Sequence, residues 1–300
     1  MLIQYKKKRF TPEALAIVEK ANEIIANYEA DGMKLTVRQL YYQFVAKDLI
    51  ENSLKSYKRI ADIVSEARLG GYISWDAIED RTRGIEQWPQ WQSPQLFATR
   101  MASSYMEDLW KHQDEHVEVW VEKEALISII EKACSTRRVP HLACRGYTSQ
   151  SEMFLAGQRI ARKLELNKKV TILHFGDHDP SGIDMTRDIE ERIQLFLKTN
   201  LDDTDLAWNF SVDRLALNFN QVEEYDPPPN PAKSQDPRFK DYRKKFGSES
   251  WELDAVEPNL LVQLIEDEID LHVNQSTWDM AVEAEERNTQ RLIDNARKLK

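Results

Sequence analysis

The chain has 300 residues, 31% charged and 41% hydrophobic, with a formal net charge of −10. That balance suits a folded chain of one large or two modest domains, and no apolar run is long enough to span a bilayer. Met1–Arg9 carries basic residues with no apolar stretch behind them, so it does not read as a secretory signal.

Two cysteines, Cys134 and Cys144, argue against a disulfide framework and for a reducing cytoplasm. The acidic total weighs against nucleic-acid binding, where affinity comes mostly from neutralised phosphates. The charge is uneven, however. Residues 1–83 hold 14 Lys/Arg against 12 Asp/Glu, and the remainder 27 against 39. The relative excess of positive charge lies at the N-terminal end.

In chain order, Thr11-Pro12 predicts a helix start, with Leu15, Val18, Ile24 and Ile25 as its apolar side and Asp31-Gly32 as its end. Thr36-Val37-Arg38-Gln39 is a capping-box pattern and opens a second helix through about Ala46. On it, Val37, Tyr41 and Phe44 share the expected core face, and Tyr42 lies about 100° round the axis. A third helix is expected from about Leu54 to Arg68, stopped by Gly70-Gly71. Tyr72–Trp75 reads as a short strand. Three helices, a strand and a turn fit a winged-helix unit. Residues 84 to about 98 read as a linker whose Trp88 and Trp91 are expected to pack on a neighbouring domain.

Beyond the linker, strand and helix signals alternate, which predicts a parallel sheet. His116–Val121 reads as a strand running straight into Glu122. Its start at His116 breaks the zinc-protease spacing of His112-Gln113-Asp114-Glu115-His116. Val139–Ala143 is a second strand, and Ser149–Glu152 a cap opening a helix to about Leu164. Val170–His174 is a third strand. It leads into Phe175-Gly176-Asp177-His178-Asp179-Pro180-Ser181-Gly182 and a helix over Ile183–Leu197. A strand follows at Leu215–Leu217. Tyr225–Gly247, rich in proline and in lysine and arginine, reads as irregular. Two helices, near Asn259–Ile269 and Gln275–Lys298, close the chain.

Two strands therefore end in carboxylates. If they are neighbours, Glu122, Asp177 and Asp179 converge on one rim at the strands' carboxyl ends, where open α/β sheets take ligands. Clustered anions call for a cation, and a hard oxygen-binding ion such as Mg²⁺ fits. Alternation turns His178 away from both aspartates, and Glu124 sits where a helix dipole alone favours an acid.

Val121-Glu122-Lys123-Glu124, Arg145-Gly146-Tyr147 and Asp177-His178-Asp179-Pro180-Ser181-Gly182 together resemble the Toprim domain. Among Toprim proteins they are similar to the A subunit of type IIB topoisomerases (topoisomerase VI) and to the related meiotic double-strand-break protein. The resemblance covers residues 115 to 220 or so. It implies an α/β fold: an N-terminal winged-helix (CAP-like) domain over residues 1–98, then a Toprim domain over 99–300 with a mainly parallel sheet and C-terminal helices. The families carry an Arg-x-x-Tyr-Tyr type motif in the first domain, matched by Arg38-Gln39-Leu40-Tyr41-Tyr42, so Tyr42 becomes the expected nucleophile and Arg38 its helper. Glu122, Asp177 and Asp179 become ligands of Mg²⁺ (or Mn²⁺), with Glu122 also catalytic. The implied activity is metal-dependent cleavage of double-stranded DNA through a 5′-phosphotyrosyl link.

The resemblance further implies a homodimer, in which each tyrosine meets the partner's metal site, and a separate ATPase for strand passage. A Toprim nuclease using water, or a non-catalytic DNA-binding or assembly factor, would keep the same fold. Lys55, Lys58, Arg59 and Arg68 of the third helix, with Arg81 and Arg83 beyond it, are expected at DNA phosphates.

Overall fold

The computed structural model describes residues 2–30, 32–79, 88 and 90–299. Three helices open the chain, α1 (Pro12–Ala30), α2 (Val37–Ala46) and α3 (Leu54–Gly70). Each begins where a side chain takes up amides of the first turn. Thr11 Oγ1 accepts from the Ala14 amide at 3.3 Å, Thr36 and Gln39 cap each other reciprocally, and Ser53 Oγ accepts from Ser56 at 3.2 Å. α3 stops at Gly71, whose φ of +77° is a left-handed cap that glycine adopts without strain.

The expected strand at Tyr72–Trp75 is absent: those residues form bends and a turn. Their carbonyls are claimed elsewhere. Asn22 donates to the Tyr72 carbonyl at 2.8 Å, and Arg68 to those of Trp75 and Ile78 at 3.0 and 3.4 Å. Among the described residues, the extended pairing here is a parallel bridge between Leu35 and Ile78. Trp88 is 91% exposed rather than packed on a neighbour, and Trp91 touches Phe97 edge-on. α4 (Pro94–Ser103) starts inside the expected linker, capped by Ser93.

The rest is α/β. Strands β1 (Glu115–Val121), β2 (His141–Ala143), β3 (Lys169–Phe175) and β4 (Phe210–Ala216) form one parallel sheet in the order β2-β1-β3-β4. His112 precedes β1 and His116 lies within it, so the two share no helix. The crossovers carry α5 (Ile127–Ser135), α6 (Gln150–Leu164) and α7 (Pro180–Asn200). After β4 come α8 (Phe219–Tyr225), α9 (Phe239–Phe246), α10 (Pro258–Leu271) and α11 (Gln275–Ala296). α9 lies in a stretch expected to be irregular. Phe239, Tyr242 and Phe246 give it an apolar stripe at helical spacing, masked in the sequence by the basic residues between. Among the described residues, no helix is long and apolar enough to cross a membrane.

Strand alternation divides the core between the two faces of the sheet. Val117, Val119 and Val121 of β1 and Leu173 and Phe175 of β3 pack with α5 and α10. Trp120, Val170 and Ile172 pack with α6 and α7 through Met153, Ile160, Ile189 and Ile193. Each large aliphatic buried this way contributes about 2 kcal/mol. Buried residues of α1–α3 join the first cluster without a break, so the helical N-terminal part sits on the same core as the sheet. Tyr28 donates to Glu257 just before α10, tying α1 to the second half of the chain.

Candidate active site

Glu122 follows β1 directly, and Asp177 and Asp179 follow β3. The chain runs from β1 to β2 on one side and then to β3 on the other. The acids therefore stand at the switch point of the sheet, outside the strands' carboxyl ends. The Glu122 amide donates to the Phe175 carbonyl at 2.8 Å, and the Asp177 amide donates to Glu122 Oε2 at 2.9 Å. Asp179 caps α7: its Oδ1 accepts from the Gly182 amide at 2.6 Å and the Ser181 hydroxyl at 2.9 Å. Gly182 is demanded by close approach, because a Cβ there would lie 2.3 Å from the Asp177 carbonyl oxygen and 3.0 Å from Glu122 Oε2.

The rim is electrostatically tense. Burial, then the charges of Asp177 and Asp179, lifts the Glu122 carboxyl to about 7. Burial also raises Asp177, against the pull of Lys123. The Lys123 ammonium lies 3.0 Å from Asp177 Oδ1, 2.9 Å from Glu252 Oε2 and 2.9 Å from Asp254 Oδ1. Burial opposes its charge, but the three carboxylates win and its pKa is raised.

Among the described residues, no group of three or more His, Cys, Asp or Glu side chains closes into an ion-holding cluster. The expected convergence is therefore partial. Glu122 meets the Asp177 backbone, and Lys123 faces Asp177 Oδ1. The donor chemistry still suits a hard divalent cation. Glu122 Oε1 and Asp177 Oδ2 accept no hydrogen bond within the described residues, and Asp179 Oδ2 has Lys233 Nζ at 3.9 Å. The raised carboxyls mark a place where added positive charge is favourable.

Tyr42 enters from α2, a helix enclosed on nearly every side: Gln39 to Val45 are all buried, more than the single core face expected. Its hydroxyl donates to Glu252 Oε2 at 2.9 Å. Arg38 donates to the same oxygen at 2.6 Å and pairs with Asp254 at 3.2 Å, with its guanidinium 5.8 Å from the Tyr42 ring centre. Tyr42, Glu252, Lys123 and Asp177 thus form one continuous polar chain inside a single protomer. The local field differs from the expected activation by Arg38. Burial and the charges of Asp254 and Glu252 raise the phenol's pKa, outweighing the guanidinium. Glu252 itself, despite burial, is held down to about 2 by Lys123, Arg38 and the Tyr42 hydroxyl. A pocket of about 240 Å³ opens beside Tyr42, lined by Arg38, Tyr41, Asn52, Tyr57 and Asn230 among others. Tyr41 plays a different part. Its hydroxyl accepts from the Ser53 amide at 2.9 Å and donates to Asn52 Oδ1 at 2.9 Å, fastening α2 to the start of α3.

Two further groups had no signal in their local sequence. Glu252 and Asp254 lie far from the other acids along the chain and are delivered by the segment after α9, where His178 and Trp251 exchange backbone hydrogen bonds of 2.8 and 3.0 Å. Arg214 of β4 is buried beneath the aspartate turn and donates to the carbonyls of Gly182, Gly176, Asp177 and Leu217 at 2.7 to 3.1 Å. Burial drives its pKa down to about 10. His178 turns away from the rim, with Nδ1 2.9 Å from the Tyr242 hydroxyl and its ring among Phe219, Phe246 and Trp251. Glu124 pairs with Arg145 at 2.5 Å.

Of the residues expected at DNA, Lys55, Lys58 and Arg59 are exposed along α3. Arg68 is half-buried, bound to its own turn and stacked on Trp75 at 4.5 Å. Arg81 and Arg83 lie outside the described residues.

No family model matches this chain, and no curated protein matches it.

Proposed function

We propose that the chain binds duplex DNA and cleaves it in a divalent-metal-dependent reaction with Tyr42 as nucleophile, in the manner of the topoisomerase VI A subunit that its motifs resemble. The observation that carries the reading is the polar chain from the Tyr42 hydroxyl through Glu252 and Lys123 to Asp177, with steps of 2.9, 2.9 and 3.0 Å. Two motifs separated by more than a hundred residues meet at one place.

In this reaction the Tyr42 oxygen bonds to phosphorus, the P–O3′ bond breaks, and the 5′-phosphate stays on the tyrosine. Glu252, held ionised by Lys123 and Arg38, orients the phenol through its hydrogen bond, while the phenolic proton passes to solvent and the departing 3′ oxygen takes a proton from solvent. Arg38 offers two donors beside the attacked phosphate and holds Glu252 in position. A divalent cation held by Glu122, Asp177 and Asp179 would supply charge stabilisation at the phosphate oxygens and the leaving group. Homodimerisation and a separate ATPase are further expectations of the resemblance. The link between Tyr42 and Asp177 within one protomer is compatible with a site that needs no exchange between subunits.

A second reading has its own support. The Tyr42 phenol is shielded by carboxylates that disfavour the phenolate, which suits a nuclease in which water attacks and Tyr42 only positions Glu252. Supercoiled plasmid, incubated with the protein and Mg²⁺ or Mn²⁺ and stopped with detergent, separates the readings. Protein-linked DNA that vanishes in both Tyr42→Phe and Asp177→Asn supports the tyrosine route. Cutting lost only in Asp177→Asn supports water. Binding without cutting in any variant would leave a DNA-binding or assembly factor and remove the enzymatic reading.

A further inference from the structure

The segment from Lys233 to Gly247 holds six Lys/Arg and two Asp/Glu in a chain whose total is −10. It is the sharpest local reversal of charge near the acidic rim. Within it, α9 is seated by its apolar stripe. Tyr242 is buried, its hydroxyl 3.0 Å from the His178 carbonyl and 2.8 Å from that of Glu249, and the Phe246 ring meets His178 edge-on with centres 4.7 Å apart. Because His178 stands between Asp177 and Asp179, α9 is fixed directly to the aspartate turn.

The exposed flanks of α9 present cations, with Lys240 and Arg243 one turn apart on one flank and Lys245 on the other. Arg238 and Lys244 are matched internally, by Asp184 at 2.8 Å and Asp241 at 3.0 Å. Lys240, Arg243 and Lys245 are exposed and have no carboxylate within ion-pair distance among the described residues. Asp241 is within electrostatic reach of Lys240 and Lys245 as well as Lys244, so one carboxylate is set against several exposed cations on this short helix. Like charges so close repel, and a row of phosphates relieves them. The stretch leading into this segment reaches the other half of the site: Asn52, just before α3, donates to Asn230 Oδ1 at 3.0 Å. The loop that carries α9 therefore also walls the Tyr42 pocket.

We infer that Lys240, Arg243 and Lys245 form a phosphate-binding strip that wraps part-way round α9 for the backbone of duplex DNA, which holds the strand across the acidic rim. This rests on the DNA-cleaving reading and adds to it a contact surface outside the N-terminal helices. The strip makes backbone contacts, which carry no sequence information, so it sets affinity and register rather than target choice.

The test is binding of a fluorescent 30-base-pair duplex by anisotropy, in EDTA, at several salt concentrations from 50 to 250 mM. Each phosphate contact contributes about 0.9 to the slope of log K against log salt. The Lys240→Glu, Arg243→Glu, Lys245→Glu triple variant should show a slope shallower by about 2 to 3 and should bind at least tenfold more weakly. Reversal of Arg287 and Arg291 on α11 and of Lys298 just beyond it should change binding less than twofold. If the charge reversals lower the melting temperature, the corresponding triple glutamine variant carries the same slope prediction. Wild-type binding with an unchanged slope in the α9 variants would overturn the strip while leaving the DNA reading intact. No binding of duplex by the wild type would remove both. A tenfold preference for structured RNA over the duplex would reassign the surface and overturn the inference as stated.

Discussion

The Tyr42 hydroxyl and the Lys123 ammonium meet on one atom, Oε2 of Glu252, each at 2.9 Å. Tyr42 belongs to the N-terminal helices and Lys123 to the rim of the sheet, so Glu252 is where the two halves of the proposed site are joined. Arg38 reaches the same oxygen.

Lys123→Met removes the one cation shared by Asp177, Glu252 and Asp254. Breaking a buried pair from one side costs about 3 to 5 kcal/mol, and we expect at least about 2 kcal/mol here in EDTA at pH 7.5, since the group is partly open to water. Mg²⁺ should restore part of the loss by replacing the missing charge. Urea denaturation with and without Mg²⁺ checks this; an unaltered midpoint would show that Lys123 is not compensating the cluster.

Gly182→Ala forces a methyl against the Asp177 carbonyl, a backbone atom with little room to yield. Overpacking of this kind costs about 1 to 3 kcal/mol, and the displacement falls on Asp177 and Glu122 together. The variant should fold, melt lower, and lose at least tenfold in metal-dependent cleavage. Retention of full cleavage would mean that the turn geometry does not matter to the chemistry.

Arg214→Met removes the buried donor shared by the carbonyls of Gly176, Asp177, Gly182 and Leu217, of which Gly176 still accepts from the Leu217 amide at 2.7 Å. At about 1 to 3 kcal/mol for each unsatisfied group, tempered by relaxation, a loss of about 3 kcal/mol is expected. Arg214→Lys should recover only part of it, because an ammonium cannot span the same fan of acceptors. Equal stability of the Lys variant and wild type would contradict the clamp.

Glu118 gives a pH signature. It lies buried on β1, gripped by Arg159 at 2.8 and 2.9 Å. Burial would raise its carboxyl, but Arg159 and its other donors hold it at about 2, below its ordinary 4.5. A depressed carboxylate contributes stability that is fully present above the unfolded value and is lost as pH falls from about 4.5 towards 2. Glu118→Gln should therefore cost about 2 to 3 kcal/mol at pH 7, and the gap from wild type should narrow below pH 4.5 and close only as pH approaches about 2. A gap independent of pH would mean that the ion pair is not its source.

Much of this site was legible from local pattern. Short apolar runs leading to Glu122 and Asp177 announced two strands, Thr36 and Gln39 announced α2, and the pattern of Ile183–Leu197 announced α7, though not its start at Pro180. What escaped was assembled by tertiary contact. Glu252 and Asp254 arrive on a segment with no periodicity of its own, steered by a backbone pairing with His178. Arg214 fell just outside the strand expected at Leu215–Leu217, which in the structure begins earlier, at Phe210. The wing expected at Tyr72–Trp75 failed because side chains, Arg68 and Asn22, captured the carbonyls a ladder would have used. α9 was hidden because its three aromatics are spread among lysines and arginines.

The central claim is that Glu122, Asp177 and Asp179 form one site for a divalent cation. Electron paramagnetic resonance of Mn²⁺ titrated into the protein tests it without reference to activity. The account predicts one bound Mn²⁺ per chain in the wild type, displaced by Mg²⁺ and lost in both Glu122→Gln and Asp177→Asn. No bound Mn²⁺, or binding that persists unchanged in both variants, would contradict it.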